Sequence, residues 1–168
     1  PRAAQKSLFK AKGRDVDIAD QAFITTEDAA GLILVGKNQL YYGAIASAPD
    51  EGVLSPSTLA AANHHRLEDA EDAALAACDA ARRSETPCVI VAQILPRGWE
   101  PRDLQLSHDA TVVFRAEFRR AKGPKAFARG FGSSRYGYEV EAESLGAARA
   151  AAIAACGAVT CEVVIEAQ

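Results

Sequence analysis

The sequence predicts an α+β protein in which two β-β-α-β units form antiparallel sheet, with Ala-rich helices packed on one face. Three observations predict it. Leu67 to Cys78 lies over Leu145 to Cys156 so that Leu67 meets Leu145, Ala70 meets Ala148, Leu75 meets Ile153 and Cys78 meets Cys156. Each of those cysteines is followed by a short stretch, a second cysteine and an apolar run, Cys88-Val89-Ile90-Val91 and Cys161-Glu162-Val163-Val164. Upstream, each copy has two strand-like runs joined by a tight turn.

In the first copy those runs are Leu32 to Val35 and Gln39 to Tyr42, around Gly36-Lys37-Asn38. In the second they are Thr111 to Phe118 and Ala126 to Phe131, around Lys122-Gly123-Pro124-Lys125. Turn residues between apolar runs read as β-hairpins. The helix of the first copy follows from Leu67, Ala70, Ala74, Ala77, Cys78 and Ala81, which recur every three or four residues. Acidic Glu68, Asp69, Glu71 and Asp72 sit near its start and Arg82 and Arg83 at its end, as the helix dipole favours. A face of such small residues lets a helix approach a sheet closely. The expected organisation is an N-terminal arm at 1–29, a first unit at 30–96, a connector at 97–108 and a second unit at 109–168. Within the arm, a short helix is expected at Ser7–Lys12, and Thr25-Thr26-Glu27-Asp28 suits a cap before the first strand.

At 168 residues the chain is long enough to bury roughly 70% of the surface its unfolded form exposes. Its apolar and charged fractions, 49% and 24%, are those of ordinary globular proteins and exclude disorder and fibrous architecture. A formal net charge of −3 gives no global attraction for nucleic acid. No apolar run approaches the roughly 20 residues of a membrane-spanning helix. Residue 1 is proline and the chain has no methionine. A removed export signal is the expected reason, which places the protein in the periplasm or outside the cell.

The four cysteines lie at matching places, a helix end and the following strand start. Cys78 with Cys88 and Cys156 with Cys161 would close local loops, each contributing on the order of 2–3 kcal/mol. Cys78 with Cys156 and Cys88 with Cys161 would instead tie the units together. Four free thiols are a third arrangement. The two-residue spacing common in zinc knuckles is missing from both pairs. His64-His65 is the single histidine cluster, and neighbouring helical residues point about 100° apart, which disfavours joint chelation. His108 stands beside Asp109 as a surface histidine. The sequence has no Gly-x-Ser-x-Gly, no His-Glu-x-x-His, no phosphate loop and no dinucleotide fingerprint. It therefore assigns no catalytic residue, no metal ligand and no cofactor.

One region departs from average composition. Arg115, Arg119, Arg120, Lys122, Lys125, Arg129 and Arg135 are interleaved with Phe114, Phe118, Phe127, Phe131, Tyr136 and Tyr138. On a hairpin, cations alternating with aromatics would form a partner-binding surface for an acidic protein, a small anion or a nucleic acid. Equally, the aromatics would fill a core beneath a basic outer face.

Arg129-Gly130-Phe131-Gly132 resembles the opening of the aromatic motif of RNA-recognition domains, but Ser133-Ser134-Arg135 departs from its continuation. A closer resemblance is to a family of small exported bacterial domains of unknown function, some of whose short relatives carry a nominal 5-aminolevulinate synthase label. In that family an aromatic-glycine strand is followed by a helix ending in Ala-x-x-Cys, a second cysteine and a Val-rich strand. Tyr42-Gly43 to Cys88-Val89-Ile90-Val91 and Phe131-Gly132 to Cys161-Glu162-Val163-Val164 carry the likeness. It implies an envelope location and paired cysteines, and no activity. The chain is too short for a pyridoxal-phosphate enzyme fold, and no lysine sits in a cofactor motif. The function expected is thus a non-catalytic, disulfide-stabilised interaction protein, an accessory subunit of a larger envelope complex. Binding of a small anion or nucleic acid comes second, and an uncharacterised enzyme such as a hydrolase third.

Overall fold

The computed structural model describes residues 8–168 and has α+β architecture with two separate antiparallel sheets. The chain divides into two compact units, residues 12–99 and residues 100–168, the latter joined by residues 8–11.

The unit at 12–99 contains β1 (Arg14–Ile18), α1 (Thr26–Lys37), β2 (Gly43–Ser47), β3 (Leu59–Ala61), α2 (Leu67–Ala81) and β4 (Val89–Pro96), with its sheet in the order β1-β4-β2-β3. Its two faces carry different side chains. Ala44, Ala46 and Ala48 pack against Ala70, Ala74 and Cys78 of α2, all fully buried. Ile45 faces the other way, into a core with Leu32, Tyr41, Tyr42, Val91 and Ile94, which α1 covers. The period-2 alternation Ala44-Ile45-Ala46, which sends the alanines to one face and Ile45 to the other, decides which helix lies on which face.

The unit at 100–168 contains α3 (His108–Val113), which runs on into a π-helical turn at Phe114–Phe118, then β5 (Lys125–Gly130), β6 (Tyr136–Glu139), α4 (Leu145–Cys156) and β7 (Cys161–Ala167). Its sheet order is β6-β5-β7. Ala126 and Ala128 meet Ala148, Ala152 and Cys156 of α4. Phe127, on the opposite face, meets Phe114 and Phe118. The Ala-rich helices thus lie on one face of each sheet, as expected. Only every fourth residue of the expected stripe is buried, Ala70, Ala74 and Cys78, while Ala77 and Ala81 are exposed.

The order β-β-α-β holds in both units, but the first two strands stand one element later than the sequence suggested. Leu32 to Val35, expected as a strand, belongs to α1, and Gln39 to Tyr42 leads into β2 instead of forming a strand. Likewise Thr111 to Phe118 is helical, so the hairpin of the second unit is β5 with β6. Capping explains both. Thr25 accepts from the Asp28 amide at 3.1 Å and the Asp28 carboxylate accepts from the Thr25 amide at 3.0 Å, a reciprocal box that starts α1. Ser107 accepts from the Ala110 amide at 3.2 Å and starts α3. Four consecutive apolar residues in Leu32-Ile33-Leu34-Val35 hide the helical period that only Leu32 and Gly36 express through burial.

The segment expected as a polar arm also changes character. Arg14–Ile18 pairs with β4 as an edge strand, and α1 begins at Thr26. Residues 8–12 are bends and coil, so they do not form the expected short helix, whose first residue, Ser7, lies outside the described residues. The expected connector divides between the units after Trp99.

Both units carry a β-bulge at the same distance from a cysteine. Ile45 pairs with Ala92 and Ala46 with Ile90, leaving Val91 extra. Phe127 pairs with Ile165 and Ala128 with Val163, leaving Val164 extra. Each extra valine lies three residues after the cysteine preceding or opening the strand.

Candidate functional site

The cysteines form two local bridges, Cys78–Cys88 and Cys156–Cys161, with Cα–Cα distances of 6.1 and 6.2 Å. Each ties the end of an Ala-rich helix to the start of the strand that follows it. Cys78 and Cys156 are buried because they continue the i, i+4 rows Ala70-Ala74 and Ala148-Ala152. Asp79 Oδ1 accepts from the Cys88 amide at 2.9 Å and from Arg82 Nε at 2.8 Å, and these two bonds hold its carboxyl below the usual aspartate value.

The seven cations read as one surface are dispersed by the fold. Lys125 is buried and its Nζ donates to the carbonyls of Phe118, Arg119 and Ala121, at 2.9, 3.3 and 2.6 Å, satisfying the helix end. Arg115 Nη2 donates to the carbonyls of Leu8 and Phe9, at 3.1 and 3.0 Å, fastening that segment to its unit. Arg129 is buried and donates to the Gln105 carbonyl. Arg135 Nη1 donates to the Gly157 carbonyl at 3.1 Å, just beyond α4. Arg119, Arg120 and Lys122 remain on the turn before β5, and the last two are exposed. The aromatics meanwhile build the core. Phe127 is fully buried between the near-parallel rings of Tyr136 and Tyr138, with Phe114 and Phe118 edge-on to it. Tyr138 donates to Glu117, which pushes its phenol up to about 12.

His65 is buried, while the backbone amide of His64 donates to the Tyr42 carbonyl at 3.1 Å. Nδ1 of His108 lies 2.9 Å from the Asp109 carboxylate, so the expected surface histidine is partnered. Among the described residues no three His, Cys, Asp or Glu side chains gather closely enough to hold a metal ion. No helix among them is long and apolar enough to cross a membrane. The two aromatic-glycine pairs do not occupy matching places, since Tyr42-Gly43 opens β2 and Phe131-Gly132 follows β5.

A concave feature of the 12–99 unit with a mainly apolar lining was not anticipated. Helix α1 packs mainly on β1 and β4, and a gap remains beside it where Ile45 of β2 and Ala60 of β3 border the same face. The loop from Ala48 to Thr58 rises beside the gap. Together they enclose a cleft of about 530 Å³ lined by Leu32, Val35, Ile45, Val53, Leu54 and Ala60, with Glu27 and Asp28 at its polar end. Val35 is 48% exposed and Leu54 92% exposed. The loop is held by its own polar network. Glu51 accepts from Ser57 Oγ at 2.7 Å, Ser55 Oγ at 2.8 Å and the amides of Arg83 and Ser84 at 2.5 and 2.7 Å. Those donors, Ser57 foremost, hold the Glu51 carboxyl far below the usual range. Ser47 Oγ donates to the Gly52 carbonyl at 3.1 Å and accepts from Thr58 Oγ1 at 2.8 Å. The signal available in the sequence was the run Leu32-Ile33-Leu34-Val35, which is apolar on every side of a helix whose core-facing side needs only part of it.

No family model, no curated protein and no solved structure matches the chain.

Proposed function

We propose that this protein is a non-catalytic, disulfide-held binding protein of an oxidising compartment, made of two copies of one small exported bacterial domain in tandem, and that it works by contact with a partner in the cell envelope. The observation that carries this reading is the pair of local disulfides, Cys78–Cys88 and Cys156–Cys161, each joining an Ala-rich helix to the next strand. Bridges of this kind persist where thiols are oxidised and are rare in the reducing cytosol. Duplication is supported by the common order helix, strand, strand, helix, strand and by the valine bulges at Val91 and Val164.

The anion or nucleic-acid reading is weaker, because Arg115, Lys125, Arg129 and Arg135 spend their donors on main-chain carbonyls. Of the seven cations, Arg119, Arg120 and Lys122 are left to meet an acidic partner.

The test is made on protein recovered from its native source and fractionated before lysis of the inner membrane. Four blocked thiols and release with the periplasmic or extracellular fraction support the reading. Four alkylatable thiols, or retention in the cytosol, overturn it. Charge reversal at Arg119, Arg120 and Lys122 is expected to weaken co-purification of the partner.

A further inference from the structure

We propose that the cleft between α1 and the Ala48–Thr58 loop binds a small organic cation with an apolar body. The inference goes beyond the envelope reading, since it concerns what this one cleft holds wherever the protein acts.

Size comes first. A cleft of about 530 Å³ lies within the roughly 300–1,000 Å³ typical of small-molecule sites. Its floor is Ile45 and Leu32, nearly fully buried, and its walls are Val35, Val53 and Leu54. Burying apolar ligand surface against them is favourable in proportion to the area removed from water.

Preorganisation comes second. An apolar side chain as exposed as Leu54 would be unremarkable on a loose loop. Here the loop is fixed by the Glu51 carboxylate and by the Ser47–Thr58–Gly52 hydroxyl chain, with Ser47 and Ser57 both buried. Holding Leu54 and Val35 out in water on two rigid supports, on either side of one cleft, leaves apolar surface that nothing in the unit covers. A ligand entering it does not have to order the walls.

Charge decides the class. The lining residues include Glu27 and Asp28 and no lysine, arginine or histidine. Asp28 is absorbed by the capping box and offsets the partial positive charge of the helix start. Glu27 is exposed and makes no hydrogen bond or ion pair among the described residues, so the lining of an apolar cleft includes an unpartnered carboxylate. A fatty-acid headgroup would be repelled there, whereas an ammonium would be attracted.

The experiment uses the full chain and two probes of equal chain length, decyltrimethylammonium and decanoate, each titrated calorimetrically below its micelle-forming concentration. Saturable one-to-one binding of the cation is expected, with decanoate at least fivefold weaker. L54N, a neutral polar change at a position 92% exposed that should leave the fold intact, is expected to weaken the cation at least tenfold. E27Q is expected to weaken it about two- to fivefold, the range of an exposed ion pair, and to narrow its advantage over decanoate. No saturable binding of either probe, equal or tighter binding of decanoate, or unchanged binding in L54N would overturn the proposal. Thiol state and cell fraction do not enter this titration, so it can fail while the envelope reading stands, and the reverse.

Discussion

Gly36 of α1 lies so close to Val16 of β1 that a methyl group on the glycine would sit 2.8 Å from both γ-carbons of the valine. Gly36 is the point at which α1 crosses the edge strand. In the other unit the residue at the corresponding place after the helix cap is Phe118, eleven positions beyond Ser107 as Gly36 is beyond Thr25. Its ring packs on Phe114 and Phe127, and among the described residues no strand lies outside β7 in that sheet. One unit therefore fills the space beneath its first helix with a strand, the other with a side chain.

Substituting Gly36→Ala sets a gain in helix propensity of about 1 kcal/mol against overpacking of about 1–3 kcal/mol. Overpacking wins because Val16 is held by pairing to Ile94. Net destabilisation of about 1 kcal/mol is expected, with faster amide exchange confined to Arg14–Ile18. The double variant Gly36→Ala with Val16→Ala should recover part of the loss, and additive effects in a double-mutant cycle would refute the contact.

Gly137 of β6 is more constrained. A Cβ there would clash with the Cys156 amide nitrogen and lie 2.5 Å from the Ala152 carbonyl oxygen and 2.7 Å from the Ala155 carbonyl carbon. These are backbone atoms of α4, whose end is anchored by the Cys156–Cys161 bridge, so the neighbour cannot step aside. Gly137→Ala is expected to cost about 2–3 kcal/mol in denaturant unfolding of this unit. A change below 0.5 kcal/mol would contradict so close an approach.

Glu51, like Asp79 and Glu166, contributes to the acid side of the stability profile. Its folded pKa is depressed below the ordinary 4.5, chiefly by Ser57. A depressed carboxyl stabilises the fold above its unfolded pKa, and that contribution is lost as pH falls below about 4.5. Glu51→Gln should lower stability at neutral pH and flatten the decline on acidification. Unfolding midpoints measured from pH 7 down to strongly acidic conditions check both, and an unchanged acid limb counts against the network.

Lys125 and Arg120 differ although composition treats them alike. Lys125→Met would strand the Phe118, Arg119 and Ala121 carbonyls without their donor, at a cost of about 1–3 kcal/mol. Arg120→Glu, at an exposed position, should change stability by less than about 0.5 kcal/mol. Thermal unfolding of the two variants separates a buried cap from a free surface charge.

The Ala-rich helices, the strands after them and the place of each cysteine were legible because they rest on local pattern. Rows such as Ala70-Ala74-Cys78 and Ala148-Ala152-Cys156 announce a helix with one small-residue face wherever it packs. The strands at Val89 and Cys161 read out through the β-branched runs Val89-Ile90-Val91 and Val163-Val164-Ile165. The first helix of each unit was not legible, since Leu32 to Val35 and Thr111 to Phe118 are apolar enough for either state. The deciding bonds came from Thr25 and Ser107 outside those runs.

What the chain by itself determined is therefore the fold class and the positions where helix must meet sheet closely, because both follow from side-chain size and spacing along a few turns. Tertiary structure alone decided which cysteines pair, which cations reach solvent and that a cleft exists beside α1. Each of those depends on groups far apart in sequence arriving at one place: Lys125 at the end of a helix, Glu51 at the amides of Arg83 and Ser84, and Leu54 opposite Val35. Composition records which charges and apolar groups are present, whereas their desolvation and their partners are properties of the packed molecule.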